Sequence, residues 1–247
     1  MTVIHLKEID STNLYMQRNM RELPNICSLR ADIQTAGRGR LHRQWASAKG
    51  GLWFSVLFKS PTHAPFQLQK ICSLATLKTM NLKLQTAGKS SEAKQKCRLK
   101  WPNDIYYGSR KIAGCLQKNI ISSKASTVII GIGVNINNPL PKALDEKAIS
   151  LKIILSKAID VESFYLTILE NIEQRLSNFS PEVLAADYKK NLLIKDGSLV
   201  KVLDVVNKKE YTGRVMGYPE ETLDIITKEG LLFSFKAADV TLKSWDT

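Results

Sequence analysis

The residues best suited to chemistry lie close together between positions 33 and 45. An arginine side chain is a planar cation that binds phosphate or carboxylate through two parallel hydrogen bonds and keeps its charge. Glycine lets a ligand approach the backbone closely. The stretch therefore predicts a loop that closes over an anion, and a solvated basic turn is the alternative. Its arginines are Arg38, Arg40 and Arg43, and its glycines are Gly37 and Gly39.

A second polar group follows a tryptophan-proline corner later in the chain. Pro102 separates two short predicted strands, and Asn103 and Asp104 place an amide and a carboxylate at the corner. Lys111 begins the next predicted strand, after a hairpin turn at Gly108. Each feature is ordinary by itself, because Asn-Asp is a common turn pair and a lysine at the start of a strand is usually solvated.

Two further segments place polar residues at the ends of predicted elements. Residues 10–12 precede a predicted helix, where they are either a plain N-cap or groups that face a ligand. The apolar strand predicted over residues 126–136 contains Gly131 and Gly133, which indicates that a ligand or another element approaches its backbone closely. Asn135 emerges from the same apolar run and needs hydrogen-bond partners if it is buried.

The elements that position these groups can be predicted from the pattern of apolar residues. Strands are predicted over 26–33 and 52–58, and a helix begins at Pro65. The polar stretch Thr86 to Lys96 is predicted to be a surface loop. Helices are predicted over 150–158, 162–179 and 181–192, and from residue 197 onward short strands alternate with turns.

Composition restricts the classes of partner. The chain has 247 residues and a formal net charge of +13. The first 120 residues hold 20 lysines and arginines against 6 acidic residues, so the positive charge belongs to the half with the arginine-glycine loop. Such a field favours anionic partners without choosing among them. The four cysteines contain no CxxC pair, and the N-terminus has no export signature, so we expect a cytoplasmic protein. No apolar run is long enough to span a membrane.

The motifs occur in one order along the chain, and together they resemble those of the biotin protein ligases (biotin–[acetyl-CoA carboxylase] ligases). Each motif alone is modest, whereas the ordered set is specific. The matching segments are Asp-Ser-Thr-Asn (10–13), Gln-Thr-Ala-Gly-Arg-Gly-Arg (34–40), Gly-Gly-Leu-Trp-Phe-Ser (50–55), Leu-Lys-Trp-Pro-Asn-Asp-Ile-Tyr (99–106), Arg-Lys-Ile-Ala-Gly (110–114) and Ile-Gly-Ile-Gly-Val-Asn (130–135).

The resemblance implies an α+β fold in two parts. Residues 1–195 would form the ligase catalytic domain, a mixed, largely antiparallel sheet with flanking helices. Residues 196–247 would form a small SH3-like β-barrel, which agrees with the five short predicted strands there. Repressor members of the family carry an N-terminal winged helix before the Ser-Thr-Asn motif. Because only ten residues precede Ser11 here, we expect the short, non-repressor class.

The resemblance also implies a reaction in two steps. Family members join biotin to ATP as biotinyl-5′-adenylate and then pass the biotinyl group to a lysine of a carrier domain. The implied ligands are ATP, biotin and Mg²⁺, the last held with the ATP phosphates rather than by a protein-only site. The implied partner is the biotin carboxyl carrier domain of acetyl-CoA carboxylase or a related carboxylase. Arginines and Mg²⁺ would offset the repulsion between the carboxylate and the polyanion.

Site residues follow from the family motifs, position by position. Hydroxyls and an amide would hydrogen-bond the urea of biotin, and an indole would stack on the adenylate. The implied catalytic residues are Lys111, Arg38, Arg40 and Arg43. The implied biotin-binding residues are Ser11, Thr12, Asn13, Gln34, Gly37, Arg38, Trp53, Lys111 and Gly114. The implied ATP- and adenylate-binding residues are Arg38, Arg40, Arg43, Trp45, Asn103, Asp104, Lys111 and Asn135.

Two departures from the family pattern, two alternative functions and the oligomeric state remain open. Leu41 and His42 stand where the family loop often has Arg-Gly, and Gln117 stands where a glutamate is common. A lipoate or octanoate protein ligase or transferase of the same fold is the nearest alternative function. A nucleic-acid-binding module is a distant one, which only the charge supports, so we expect no DNA partner. An edge strand could also pair two copies into a homodimer.

Overall fold

The structure, a computed structural model, describes residues 1–89, 96–121 and 126–245. Most of the surface loop predicted over Thr86 to Lys96 therefore lies outside the described residues. A seven-stranded sheet is the centre of the fold, with strand order β1-β2-β3-β7-β6-β5-β4. Its strands are β1 (Thr2–Ile9), β2 (Ile26–Gln34), β3 (Leu52–Lys59), β4 (Cys97–Lys100), β5 (Asp104–Tyr107), β6 (Arg110–Ile121) and β7 (Ser126–Val134).

The sheet is mixed because β1 runs parallel to β2, whereas the other neighbouring strands are antiparallel. Strand β3 is buried on both faces, which explains its nearly continuous apolar sequence. Phe54, Val56 and Phe58 belong to the main apolar core, whereas Leu57 belongs to a smaller cluster on the opposite face. This alternation follows from the two-residue period of a strand. The predicted mixed sheet with flanking helices is confirmed.

Helices cover the two faces of the sheet unequally. The helices are α1 (Thr12–Asn19), α2 (Pro65–Thr86), α3 (Leu151–Leu155), α4 (Val161–Ser177) and α5 (Pro181–Asn191). Helix α2 packs on the main core between α4 and α5, and α1 covers the smaller cluster through Met16. Asp160 and Ser180 cap α4 and α5 by accepting hydrogen bonds from backbone N–H groups of the first turn. Helix α3 ends earlier than predicted, because Ser156 adopts a left-handed conformation (φ 55°).

A second sheet of five antiparallel strands follows α5, with strand order β11-β10-β9-β8-β12. Within the described residues its edge strands β11 and β12 do not pair with each other, so the predicted barrel is not closed. The five strands lie where the sequence predicts them, and the SH3-like description is not confirmed. They are β8 (Leu199–Asp204), β9 (Lys209–Gly217), β10 (Thr222–Ile226), β11 (Leu232–Lys236) and β12 (Val240–Trp245).

The two sheets share one apolar core, which includes Val202, Ile225 and Val240 from the second sheet. Tyr218 contributes to this contact, because its hydroxyl donates to the backbone carbonyl of Ile194 at 3.0 Å and its ring lies 6.2 Å from that of Trp101. The second sheet is therefore packed against the tryptophan-proline corner, and β12 reaches the cavity described below. No helix in the described ranges is long and apolar enough to cross a membrane.

Candidate active site

A cavity of about 390 Å³ lies between the large sheet, the arginine-glycine loop and β12. Its size is typical of a site for a small molecule or cofactor. Most of the residues that the sequence predicts for the site line this cavity, although they come from widely separated parts of the chain. Those residues are Ser11, Thr12, Asn13, Gln34, Arg38, Arg40, Arg43, Trp45, Asn103, Asp104, Lys111, Gly114 and Asn135.

One end of the cavity carries a network of hydrogen bonds at the start of α1. Gln34 Oε1 accepts from the backbone N–H of Thr12 at 2.9 Å and from its hydroxyl at 3.0 Å. Gln34 Nε2 donates to Ser47 Oγ at 2.9 Å. Ser55 Oγ lies 2.7 Å from Thr12 Oγ1 and 2.5 Å from Asn13 Oδ1. These bonds fix the polar groups before any ligand arrives, so this end is suited to a small ligand that both donates and accepts hydrogen bonds.

An ion pair lines the cavity. Lys111 Nζ lies 2.7 Å from Asp104 Oδ1 and 4.8 Å from the ring centroid of Trp45. Gly114 makes room for this pair, because a Cβ atom there would lie 3.2 Å from Lys111 Cε and 3.3 Å from Asp104 Oδ1. The β5–β6 pairing brings these residues together, since Asp104 is the register partner of Gly114. Lys111 is thus held over the indole by a carboxylate on the neighbouring strand.

The arginine-glycine loop is a tight turn that returns to its starting point. The backbone N–H of Trp45 donates to the carbonyl of Gly37 at 2.9 Å, and that of Gly39 donates to the carbonyl of Arg43 at 2.7 Å. Gly37 does not line the cavity. It is required by packing, because a Cβ atom there would lie 2.5 Å from the Trp45 carbonyl. Leu41, which belongs to one of the two departures from the family pattern, has a left-handed backbone (φ 54°).

The three arginines of the loop have different surroundings. Arg38 and Arg43 are exposed, whereas Arg40 points toward the second sheet. Its guanidinium donates to the backbone carbonyl of Val240 at 3.0 Å, to that of Ala237, and to Asn103 Oδ1 at 3.4 Å. Burial lowers the pKa of Arg40. In this conformation Arg40 joins the loop to β12.

Glycines in β7 leave space for two side chains of the site. A Cβ atom at Gly131 would lie 2.5 Å from Asn13 Oδ1, and one at Gly133 would lie 2.6 Å from Trp45 Nε1. The sequence predicted a close approach to this strand, and these contacts identify what approaches it. Trp53 is fully buried and does not line the cavity. Its ring lies 6.4 Å from that of Trp45, edge to face, so it supports Trp45 from behind.

Two predicted amides are already engaged within the protein. Asn103 Nδ2 donates to the carbonyl of Cys115 at 2.7 Å, which fixes the corner against β6. Asn135 is buried and its Oδ1 accepts from Asn138 Nδ2 at 3.2 Å. The indole N–H of Trp45, in contrast, is buried without a hydrogen-bond partner among the described residues. It faces the backbone of β7 at Gly133.

Sequence reasoning missed residues in the cavity and directly behind it. Ser55 does not line the cavity, but its hydroxyl holds Thr12 and Asn13, which do. A serine within the apolar run Leu52 to Phe58 is a usable signal for such a role. Lys100 and Tyr106 line the cavity. Burial lowers the pKa of Lys100 to about 8 and raises that of Tyr106 to about 12. The position of Lys100, directly before the Trp-Pro corner, gives no signal in the sequence that its side chain is partly buried.

The cavity is strongly positive. Asp104 is the single acidic residue among the described residues that line it, and no group of three or more potential metal ligands occurs in the described ranges. A concave surface with this balance attracts an anion. The basic residues that line it are Arg38, Arg40, Arg43, Lys100, Lys111 and Lys147.

Comparison with known sequences gives consistent matches. The Biotin/lipoate A/B protein ligase family matches residues 6–135. The Bifunctional ligase/repressor BirA of Bacillus subtilis (strain 168) is 33% identical over 156 residues, which are 60% of this chain and 45% of that protein. The Biotin--[acetyl-CoA-carboxylase] ligase of Mycobacterium tuberculosis is 32% identical over 179 residues, which are 70% of this chain and 62% of that protein. The chain spans about half the length of the first of these relatives.

A solved structure is similar over nearly the whole chain. Biotin protein ligase from Aquifex aeolicus in complex with biotin and ATP has a TM-score of 0.80 and 28% sequence identity, and the alignment covers 98% of each chain. The alignment therefore includes both the large sheet and the second sheet.

Proposed function

Because the chain belongs to the biotin/lipoate A/B protein ligase family, we propose that it is an ATP-dependent biotin protein ligase. It would activate biotin as biotinyl-5′-adenylate and transfer the biotinyl group to a lysine of a biotin carboxyl carrier domain. The observation that carries the proposal is that one cavity is lined both by the hydrogen-bonded polar groups of Thr12 and Gln34 and by a set of cations that includes Lys111. The similar Aquifex aeolicus protein was solved with both biotin and ATP.

The polar end favours biotin over lipoate or octanoate. Biotin has a urea group that donates and accepts hydrogen bonds, whereas the dithiolane of lipoate and the alkyl chain of octanoate have none to offer. Binding either of them would desolvate Thr12, Asn13 and Gln34 without giving them new partners, which is unfavourable. The preorganised network therefore supports biotin as the acid.

Lys111 would act in the activation step. The carboxylate of the acid must approach the α-phosphate, and both groups are negative. An ammonium group between them lowers the repulsion and stabilises the negative charge that develops in the transition state. The indole of Trp45, 4.8 Å from Lys111 Nζ, would form the wall against which the adenine or the acyl chain packs. The loop around Arg38 and Arg43 would cover the intermediate and exclude water.

Mg²⁺ fits this site as an ion carried by the ATP phosphates. Mg²⁺ in nucleotide sites is bound by one or two carboxylates together with phosphate oxygens. Asp104 is the acidic residue available in the described lining, and Lys111 already holds one of its oxygens. When bound, the ion would supply additional neutralisation of the phosphates.

The remaining parts of the proposal, which concern the carrier, the second sheet, the location and the assembly, rest on the family and on the composition. The carrier would be the biotin domain of acetyl-CoA carboxylase or a related carboxylase, as the name of the Mycobacterium tuberculosis relative indicates for that protein. The second sheet would be the SH3-like module of such ligases. The lack of a DNA partner, a cytoplasmic location and a homodimer through an edge strand remain predictions.

ATP–pyrophosphate exchange tests the proposal directly. Exchange would be measured with biotin, lipoate, octanoate or no acid, for the wild type and for Lys111→Ala. Lys118→Ala is the control, because Lys118 lies on the same strand outside the described cavity lining. We expect exchange that requires biotin, is lost in Lys111→Ala and persists in the control. Exchange that requires lipoate or octanoate would show that one of these acids, and not biotin, is the substrate. No exchange with any acid would refute the proposal.

A further inference from the structure

Lys100 lies in the motif at residues 99–106 and lines the cavity, but it is not among the site residues that the resemblance implies. It is the last residue of β4, and its side chain is bracketed by two aromatic rings from different sheets. Lys100 Nζ lies 4.0 Å from the ring centroid of Trp245, at the end of β12, and 5.2 Å from that of Tyr106, on β5. The two rings are themselves perpendicular, with centroids 6.1 Å apart. Aromatic faces attract a cation and fix its position without neutralising its charge.

The charge of Lys100 is not balanced by an acidic side chain. Within the described residues, no carboxylate oxygen lies within 4.0 Å of its ammonium group. The nearest acidic influence is Asp104, which is paired with Lys111 at 2.7 Å. Lys111, Arg40 and Arg43 add positive charge around it. A partly buried ammonium in this setting is unfavourable without an anion, so the arrangement is suited to an anion that enters from solution.

The order of the strands gives the direction in which that anion would extend. The polar end of the cavity lies over β7, where Asn13 covers Gly131. Lys111 is on β6, and Lys100 is on β4, two strands further on. Adjacent strands are about 4.8 Å apart, so the strand that carries Lys100 lies roughly 10 Å from the strand that carries Lys111, measured across the sheet. An acid in the polar end would bring its carboxylate and the α-phosphate to Lys111, and the remaining phosphates could extend toward Lys100.

We propose that Lys100 binds the β- and γ-phosphates of the nucleotide and stabilises the departing pyrophosphate, with Trp245 and Tyr106 as its positioning residues. This inference rests on the proposed function. In the step concerned, a carboxylate oxygen of the acid forms a bond to the α-phosphorus. The bond from that phosphorus to the bridging oxygen breaks, and its electron pair leaves with pyrophosphate. No proton transfer is needed, and Lys100 opposes the negative charge that grows on the leaving group.

Binding measurements test this assignment without requiring the acid to be known. The dissociation constants of ATP and AMP would be measured by calorimetry for the wild type, Lys100→Met and Lys100→Arg. Lys152→Met is the control, because Lys152 is exposed on α3 and lies outside the described cavity lining. We expect Lys100→Met to weaken ATP roughly 10- to 100-fold, the range for one charge-assisted contact, and to leave AMP within about twofold. Equal effects on ATP and AMP, or none on ATP, would overturn the assignment.

Kinetic measurements separate the pyrophosphate step from the transfer step. In Lys100→Met we expect the KM for pyrophosphate in the exchange reaction to rise at least about tenfold. Transfer from supplied biotinyl-5′-adenylate to a carrier domain should be unchanged, because pyrophosphate takes no part in it. Lys100→Arg should retain most of the exchange. Equal damage to exchange and transfer would instead assign Lys100 a general structural role. Absence of biotin-dependent exchange in the wild type would refute the proposed function, and the ATP and AMP affinities would still decide the role of Lys100.

The contribution of Trp245 can be tested separately from that of Lys100. Trp245→Ala should raise the KM for pyrophosphate in the wild-type background and have no further effect in Lys100→Met, because the ring acts through the ammonium group. Additive effects of the two changes would contradict a positioning role.

Discussion

Replacing Lys100 by methionine should stabilise the folded protein at neutral pH, although it removes a side chain that we propose to be functional. Burial lowers the pKa of Lys100 from 10.5 to about 8, which corresponds to roughly 3 kcal/mol of unfavourable free energy at about 1.4 kcal/mol per tenfold change. Contacts with the rings of Trp245 and Tyr106 offset about 1 to 2 kcal/mol of this. The net gain from the substitution is then about 1 to 2 kcal/mol, because methionine keeps much of the packing of the lysine stem.

The dependence of this gain on pH provides the sharpest assay. Below pH 8 the ammonium is charged in both the folded and unfolded states, so the wild type bears the full penalty. Between about pH 8 and 10.5 the folded state binds fewer protons than the unfolded state, and the free energy of unfolding of the wild type therefore rises with pH. Above pH 10.5 both states are neutral and the penalty is gone. The advantage of Lys100→Met should consequently be largest at pH 7 and decrease through this window.

Thermal unfolding of the wild type, Lys100→Met and the exposed-site control Lys152→Met would be followed by circular dichroism from pH 7 to pH 10.5. For a chain of this size, 1 to 2 kcal/mol corresponds to an increase in Tm of about 2 to 8 °C at pH 7. The control should remain within about 0.5 kcal/mol of the wild type. A Lys100→Met protein that is no more stable than the wild type at pH 7, or an advantage that does not change with pH, would refute the electrostatic reasoning.

Two further predictions follow from the contacts of the site. Arg40→Gln should lower the free energy of unfolding by about 1 to 3 kcal/mol, because it leaves the carbonyl of Val240 without its donor. Urea denaturation would measure this, with the exposed Arg43→Gln as the comparison, and equal stabilities of the two variants would contradict the loop-to-sheet link. Gly131→Ala should weaken biotin binding about tenfold or more, because its Cβ would lie 2.5 Å from Asn13 Oδ1. Calorimetry would test this against Gly217→Ala, where a Cβ meets nothing within 4 Å, and unchanged affinity at position 131 would show that Asn13 is not a biotin contact.

Much of this protein could be predicted from its sequence because the relevant signals are local. The strand at Leu52–Lys59 is a continuous apolar run, and Ser180-Pro181 begins α5 as a cap followed by a proline. The five strands of the second sheet are separated by turns that the sequence shows directly. The cavity-lining residues of the arginine-glycine loop and of the Asn-Asp corner belong to short motifs, so their participation could be predicted without knowing how the chain folds.

Tertiary structure alone decided what several of those side chains contact. The guanidinium of Arg40 donates to carbonyls of β12 and the preceding turn, about 200 positions later in the chain. Trp53 lies behind Trp45 instead of in the cavity wall. Lys100 is bracketed by Trp245, which comes from the second sheet. Motif and periodicity record the conformation of neighbouring residues, whereas these contacts depend on how the two sheets pack against each other. The sequence signal of a basic residue is therefore the same whether its charge faces solvent, a carbonyl, an aromatic ring or a ligand.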